Sequence, residues 1–187
     1  MTHVALLRGI NVGGRNRILM SDLRGCLAAV ADITDVVTYI QSGNVVFEAP
    51  PMQRAALEAI VESALRQDFD YDAKVVIRSR KELAATVSAA PQGFGQEPDT
   101  YRYDVFFLRD GVDPVELTDR LPQRDGVDAS WAGPEAIFSR RLISQASRSR
   151  ISRISQLPEY RDLTIRNWRT TNKIGRASCR ERVCSVV

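Results

Sequence analysis

The chain has 187 residues, 44% of them apolar, which is enough to bury one good core or two small cores that share an interface. Its longest apolar runs, such as 33–40 and 105–108, are far too short to cross a bilayer, and its N-terminus lacks the basic region of a secretory signal. We therefore expect no membrane partner, no export and a cytoplasmic location.

Strand and helix patterns alternate in the first part of the chain, with a long Gly/Asn/Arg loop, Gly9–Leu19, after the first strand. The order is strand, helix, strand, strand, helix, strand, with bounds 4–8, 21–30, 36–41, 45–47, 57–65 and 73–77. Ser21 is the predicted cap of the first helix. This βαββαβ order predicts a ferredoxin-like subdomain over residues 1–78, in which the third strand lies between the first and the second.

A linking segment, residues 79–100, begins with a Ser-x-x-Glu capping box at Ser79 and Glu82 and ends in a loop rich in Gly, Gln and Pro. The same order of patterns then returns over residues 101–174. Its bounds are 101–109, 114–121, 127–131, 136–140, 149–157 and 163–166. The predicted fold class is therefore α+β, with two ferredoxin-like subdomains packed together.

The last thirteen residues, 175–187, differ in composition from the rest of the chain. Ile174–Val183 can be back-translated to a common sequencing-library adapter read in frame, so residues 175–187 are expected to be a non-native tail. The tail holds three arginines and one glutamate, and without it the net charge falls from +3 to +1.

Without the tail, the chain contains few cysteine and histidine residues that could bind a metal or act in catalysis. Only Cys26 and His3 are left as cysteine and histidine, so no metal site, disulfide framework or histidine-based triad is predicted. Cys26 shares a helical stripe with Leu23, Leu27 and Val30, which indicates core packing rather than nucleophilic catalysis. No cofactor is predicted.

Three motifs occur in order: Leu6–Gly14 (LLRGINVGG), Thr38–Phe47 (TYIQSGNVVF) and Thr164–Trp168 (TIRNW). Together they resemble the bacterial family catalogued as domain of unknown function 1697, over essentially all of residues 1–174. The resemblance implies a pair of ferredoxin-like subdomains and no established activity. Members of this family usually continue a final helix after the Asn-Trp motif, whereas here that helix is expected to be cut at about Lys173.

The predicted topology brings one group of polar residues to a single sheet edge, beside the N-terminus of the first helix, where backbone amides favour an anion. Glycines in the loop let those amides approach a ligand closely. The candidate ligand-binding residues are Arg8, Asn11, Gly13, Gly14, Arg15, Asn16, Arg17, Gln41, Ser42 and Asn44. The alternative is a long loop held to the hairpin by side-chain amides, and the sequence favours neither.

A secondary candidate site comprises Arg166, Asn167 and Trp168, although Asn167 could instead cap the terminal helix and Trp168 could lie in the interface between subdomains. Residues 138–173 hold nine Lys and Arg against two Asp and Glu. Arg140, Arg141, Arg148, Arg150 and Arg153 could form a phosphate-binding stripe, but a solvated helix face is the better interpretation.

The best functional hypothesis from the sequence is a binding module for an anionic or phosphorylated ligand at the Gly9–Leu19 loop, with a nucleotide or a nucleic acid as candidate partners. An enzyme acting on a phosphorylated small molecule is the first alternative, although the motifs offer arginine and amide groups rather than paired carboxylates. A protein-interaction scaffold that uses an exposed sheet edge is the second. No catalytic residue is assigned.

Overall fold

A computed structural model of the chain describes residues 1–10, 17–39, 43–72 and 74–179, with side chains as far as residue 175. It is an α+β protein with two four-stranded antiparallel sheets. The elements of the first sheet and its helices are β1 (Thr2–Leu7), α1 (Met20–Ala28), β2 (Thr34–Tyr39), β3 (Asn44–Glu48), α2 (Arg54–Phe69) and β4 (Val75–Ser79).

Helix α3 (Arg80–Ser88) connects the two sheets. The elements that follow it are β5 (Tyr101–Leu108), α4 (Pro114–Arg120), β6 (Asp128–Gly133), β7 (Ala136–Leu142), β8 (Leu163–Asn167) and α5 (Trp168–Cys179). Three short 3₁₀ segments lie between β7 and β8, at Ile143–Arg148, Ile151–Gln156 and Pro158–Asp162.

The two sheets have the same strand order. It is β2-β3-β1-β4 in the first sheet and β6-β7-β5-β8 in the second, and every neighbouring pair of strands is antiparallel. In each sheet the third strand therefore lies between the first and the second, and the fourth strand forms an outer edge. This order places the start of β5 and the ends of β7 and β8 beside the start of α5.

Three apolar clusters show how the layers pack. The first lies between the first sheet and helices α1 and α2, and includes Leu27, Phe47 and Leu57. Another lies between the second sheet, α4 and the 3₁₀ segments, and includes Leu117. The middle cluster joins the two sheets and includes Leu6 of β1. Because strand side chains alternate between faces, each sheet contributes one face to the middle cluster and the other face to its helices.

The local signals at helix starts give mixed results. The predicted capping box is confirmed, since the Glu82 amide donates to Ser79 Oγ and the Ser79 amide donates to Glu82 Oε2. The prediction of Ser21 as a cap is wrong. Helix α1 begins one residue earlier, with Leu19 at the cap position and no side-chain cap, and the Ser21 hydroxyl donates to the neighbouring Asp22 carboxylate instead.

Two other expectations differ from the structure. The helix predicted at 149–157 is a 3₁₀ segment, because Pro158 disfavours helical backbone at the residue before it and leaves room for little more than one turn. Helix α5 does not stop at about Lys173 but continues to Cys179, with Ile174 buried in the middle cluster. Among the described residues, no helix is both long enough and apolar enough to cross a membrane.

Candidate ligand-binding cleft

The predicted site at the Gly9–Leu19 loop is described only in part. The Arg8 guanidinium carbon lies 4.2 Å from the centroid of the Tyr160 ring, and Arg17 is exposed. Asn44 is completely buried at the start of β3. The other predicted residues lie outside the described residues: Asn11, Gly13, Gly14, Arg15, Asn16, Gln41 and Ser42. The proposal for this loop therefore stays a prediction.

Arg166 of β8 comes together with Asn44, although the two residues were predicted in different candidate sites. Its Nε donates to Asn44 Oδ1 at 2.6 Å, and its Nη2 donates to the carbonyls of Leu7 and Gly43 at 2.6 and 3.3 Å. Its Nη1 donates to Thr164 Oγ1 and to the adjacent Ile165 carbonyl. The five N–H donors of the guanidinium are thus all occupied.

This saturation decides the role of Arg166. Burial lowers the pKa of its guanidinium to about 10, and the described residues around it supply carbonyl, amide and hydroxyl oxygens rather than a carboxylate. Because no N–H group is left for a ligand, Arg166 joins the two sheets rather than contacting a substrate. The buried Tyr71 hydroxyl interacts electrostatically with Arg166 and has no hydrogen-bond partner among the described residues.

The other two residues of the secondary candidate site lie at the start of α5. Asn167 Oδ1 accepts from the Arg169 amide at 2.9 Å, so the predicted capping role is confirmed, and its Nδ2 donates to the Tyr103 carbonyl at 3.1 Å. Trp168 is half-buried, and its ring packs edge-on against Phe94 with the centroids 5.2 Å apart. Both residues line a cavity at the start of α5.

That cavity, here called the Trp168 cleft, has a volume of about 860 Å³. It lies where β8 ends and α5 begins. The first residues of β5, 101–103, therefore have no paired residue on β8. Its lining residues are Gly95, Pro98, Tyr101, Arg102, Tyr103, Arg141, Ile143, Ala146, Asn167, Trp168, Arg169, Asn172 and Lys173. The lining is aromatic and basic, and it contains no carboxylate.

Two arginines lie side by side on adjacent strands of the second sheet at this cleft. Arg102 of β5 and Arg141 of β7 are directly opposite each other in the strand register. Two like charges in such a position destabilise a sheet. Arg102 is balanced by Asp104, with its Nε 2.9 Å from Oδ2. Arg141 has no carboxylate within ion-pair distance in the part of the chain that the structure describes. Asp128, opposite Arg141 on β6, accepts instead from a hydroxyl and two backbone amides of neighbouring loops.

Helix α5 adds further positive charge to the same cleft. Arg169, Asn172 and Lys173 are spaced by three and four residues, so they share one face of the helix. Neither cationic side chain forms an ion pair within the described ranges. The cleft therefore combines one balanced cation, Arg102, with three unbalanced ones, and an anion placed there would relieve the repulsion among them.

The sequence contained part of this site. Asn167 and Trp168 were found from the third motif, and Arg141 belonged to the basic segment that was interpreted as a solvated face. Arg102 and Tyr101 were missed, because their approach to α5 depends on the β5–β7 register and on the point at which β8 ends. No local pattern carries that information.

A second cavity, of about 350 Å³, lies beside His3, Arg54, Ser79 and Glu82. Burial lowers the pKa of the His3 imidazole, and the other two described cations at this cavity are already paired, Arg54 with three carboxylates and the Met1 ammonium with Glu48, so neither is available for an anion. Over the described ranges, no group of three or more His, Cys, Asp and Glu side chains could hold a metal ion.

Comparisons with known proteins agree with this architecture. Residues 1–138 match the family described as Protein of unknown function (DUF1697). The solved structure of the conserved bacterial protein SP0830 from Streptococcus pneumoniae is similar, with a TM-score of 0.79 and 27% identity over 95% of this chain and 98% of that chain. No curated protein matches significantly.

Proposed function

The chain belongs to the DUF1697 family, whose description names no activity, and we propose that this protein binds an anionic, phosphorylated ligand in the Trp168 cleft. The opposed pair Arg102 and Arg141 is the observation that carries the proposal. A phosphate between them would accept charge-assisted hydrogen bonds from both guanidinium groups and would remove their mutual repulsion.

Binding suits the cleft better than catalysis. The described lining offers guanidinium, ammonium, amide and aromatic groups, and no carboxylate, histidine or cysteine that could act as a general base or nucleophile near neutral pH. An enzyme acting on a phosphorylated small molecule would need such a group from elsewhere. The scaffold alternative has one observation in its favour, since β2 is an outer strand and Val37 on it is 57% exposed.

The proposal can be tested by calorimetry and thermal shift with inorganic phosphate and pyrophosphate at constant ionic strength. Constant ionic strength matters because surface electrostatics are screened by salt. We expect both anions to stabilise the protein, and the double variant Arg141→Gln/Lys173→Gln to bind at least about tenfold more weakly. This expectation follows from a contribution of about 1.5–3 kcal/mol for a hydrogen bond to a charged group.

The matched control is Arg150→Gln/Arg153→Gln, which removes the same charge from exposed positions outside the cleft lining. This control should bind like the unmodified protein if the cleft is the site, and equal loss in both double variants would mean that only net charge matters. The variant Arg15→Ala/Arg17→Ala tests the loop prediction separately. Loss of binding in that variant alone would move the site to the Gly9–Leu19 loop.

The finer description of the fold is also a proposal. We infer that residues 1–78 and 101–174 are two ferredoxin-like subdomains joined by residues 79–100, and the strand order common to both sheets supports this. A cytoplasmic location, a bacterial origin and a non-native tail at 175–187 remain predictions from the sequence.

A further inference from the structure

The Trp168 cleft has aromatic walls as well as cations, and this combination narrows the class of ligand. Building on the proposed anion site, we infer that the ligand carries a flat aromatic ring together with its phosphate, as a mononucleotide does. The ring would stack at Trp168 and Tyr101, while the phosphate would lie between Arg102 and Arg141.

Trp168 is held in a defined place before any ligand arrives. Its indole packs edge-on against Phe94 and Phe138, with centroid distances of 5.2 and 6.2 Å. It also approaches Gly95 so closely that a Cβ atom at that residue would collide with the indole ring. A wall that is already ordered loses little conformational entropy on binding, which favours recognition of a rigid flat ring.

Tyr101 supplies a second aromatic surface at the same cavity. The Arg140 guanidinium carbon lies 4.6 Å from the centroid of its ring, and the Tyr103 ring packs at 6.1 Å. These contacts fix the phenol ring of Tyr101 in the lining, on the opposite face of the sheet from Arg102 and Arg141, and both faces border the cleft where β5 has no β8 neighbour. Ring-binding and phosphate-binding groups therefore meet at this edge of the sheet.

The size and the polar groups of the cleft fit a small molecule. Its volume of about 860 Å³ lies within the range of about 300–1,000 Å³ that is typical of small-molecule sites. The side chain of Asn172 makes no hydrogen bond within the described ranges, so its amide is available to the edge of a base. Single-stranded nucleic acid would need successive platforms along a groove, whereas both aromatic side chains here line one cavity.

The experiment uses the full chain with Trp131→Phe, which leaves Trp168 as its one tryptophan. AMP, GMP, CMP, ribose 5-phosphate, inorganic pyrophosphate and a short single-stranded RNA are titrated while fluorescence and heat are measured. We expect the mononucleotides to quench Trp168 and to bind about tenfold or more tightly than ribose 5-phosphate, given the known strength of base–aromatic stacking. Equal affinity for ribose 5-phosphate would overturn the inference but leave the proposed anion site intact.

Other outcomes separate the two proposals further. If neither pyrophosphate nor any nucleotide binds, the proposed function fails and the inference fails with it. If affinity rises with the length of the RNA, the ligand is a nucleic acid and the mononucleotide inference is overturned. Trp168→Leu should abolish the preference for nucleotides while keeping pyrophosphate binding. Because that variant could destabilise α5, Tyr101→Thr provides the same comparison at a half-buried strand position.

Discussion

Gly95 shows how one residue shapes the wall of the cleft. Its φ of +83° lies in the left-handed region that favours glycine, and a Cβ atom there would collide with the Trp168 indole. We predict that Gly95→Ala displaces Trp168, lowers the melting temperature and weakens ligand binding in the cleft. Tryptophan fluorescence in the Trp131→Phe background measures the displacement.

Gly93→Ala is the matched control for this prediction. Gly93 has a similar φ of +78°, but no atom lies within 4 Å of the position that its Cβ would take. Both variants therefore suffer the same kind of backbone strain, of about 1–2 kcal/mol, and only Gly95→Ala has the collision in addition. Equal effects of the two substitutions on fluorescence and binding would show that the contact with Trp168 does not matter.

At the scale of elements, most local signals predicted the structure well, with the Ser21 cap as the exception. The apolar strands and the Ser79–Glu82 capping box depend on residues that are close in the chain. The segment at 149–157 was predicted wrongly, because Pro158 limits it at its end and, at its start, Asp128 of a distant strand accepts from Ser149 and the Arg150 amide. The Trp168 cleft was only partly predicted for the same reason, since it depends on strand register.

Helix α2 protects an exposed sheet edge in a way that the sequence did not reveal. Strand β4 is an outer strand, and its Val75 and Ile77 amides donate to Glu62 and Glu58 of the helix at 2.9 and 3.1 Å. Arg109 forms ion pairs with both carboxylates. Burial raises the pKa of Glu58, since the Ile77 amide and Arg109 offset only part of the cost of placing its charge in the interior.

We predict that Glu58→Ala lowers the free energy of unfolding by about 1–3 kcal/mol, because it leaves the buried Ile77 amide without an acceptor. Glu58→Gln keeps a carbonyl oxygen for that amide, so it should cost less. Urea unfolding measures both variants. The control is Glu116→Ala, which removes an exposed pair with Arg120 that is four residues away and should change stability by about 0.3–0.5 kcal/mol. A loss at Glu58 no larger than this would contradict the edge-covering role.

At the scale of the whole molecule, polar contacts from two of the outer strands, β4 and β8, join the two sheets. Arg78 of β4 donates to the carbonyls of Leu108 and Glu135, and Arg166 of β8 donates to Leu7 and Gly43. The apolar middle cluster lies between them. Because a buried guanidinium group of each sheet donates to backbone carbonyls of the other and would lose these partners if that sheet unfolded, we expect neither sheet to remain folded when the other unfolds.

The cooperative unfolding can be measured with one reporter in each sheet. Trp131 and Trp168 report on the second sheet by fluorescence. Cys26, buried in the core of the first sheet with a pKa raised by burial to about 12, reports by thiol labelling in a Cys179→Ser/Cys184→Ser background. We predict that the two urea transitions coincide. Arg166→Met should lower the free energy of unfolding by on the order of 3 kcal/mol and so shift both transitions to lower urea, since the buried Leu7 carbonyl and the Asn44 side-chain oxygen lose this donor.

Arg153→Met and Arg166→Lys separate the possible causes of that loss. Arg153 is exposed, so its substitution should change stability by no more than about 0.5 kcal/mol. Lysine keeps the charge at residue 166 but has three donors instead of five, so Arg166→Lys should still be destabilised if hydrogen bonding joins the sheets, and nearly normal if only the charge matters. A labelling transition of Cys26 that stays at its original urea concentration in Arg166→Met would mean that the first sheet folds independently, and that Arg166 does not couple the two.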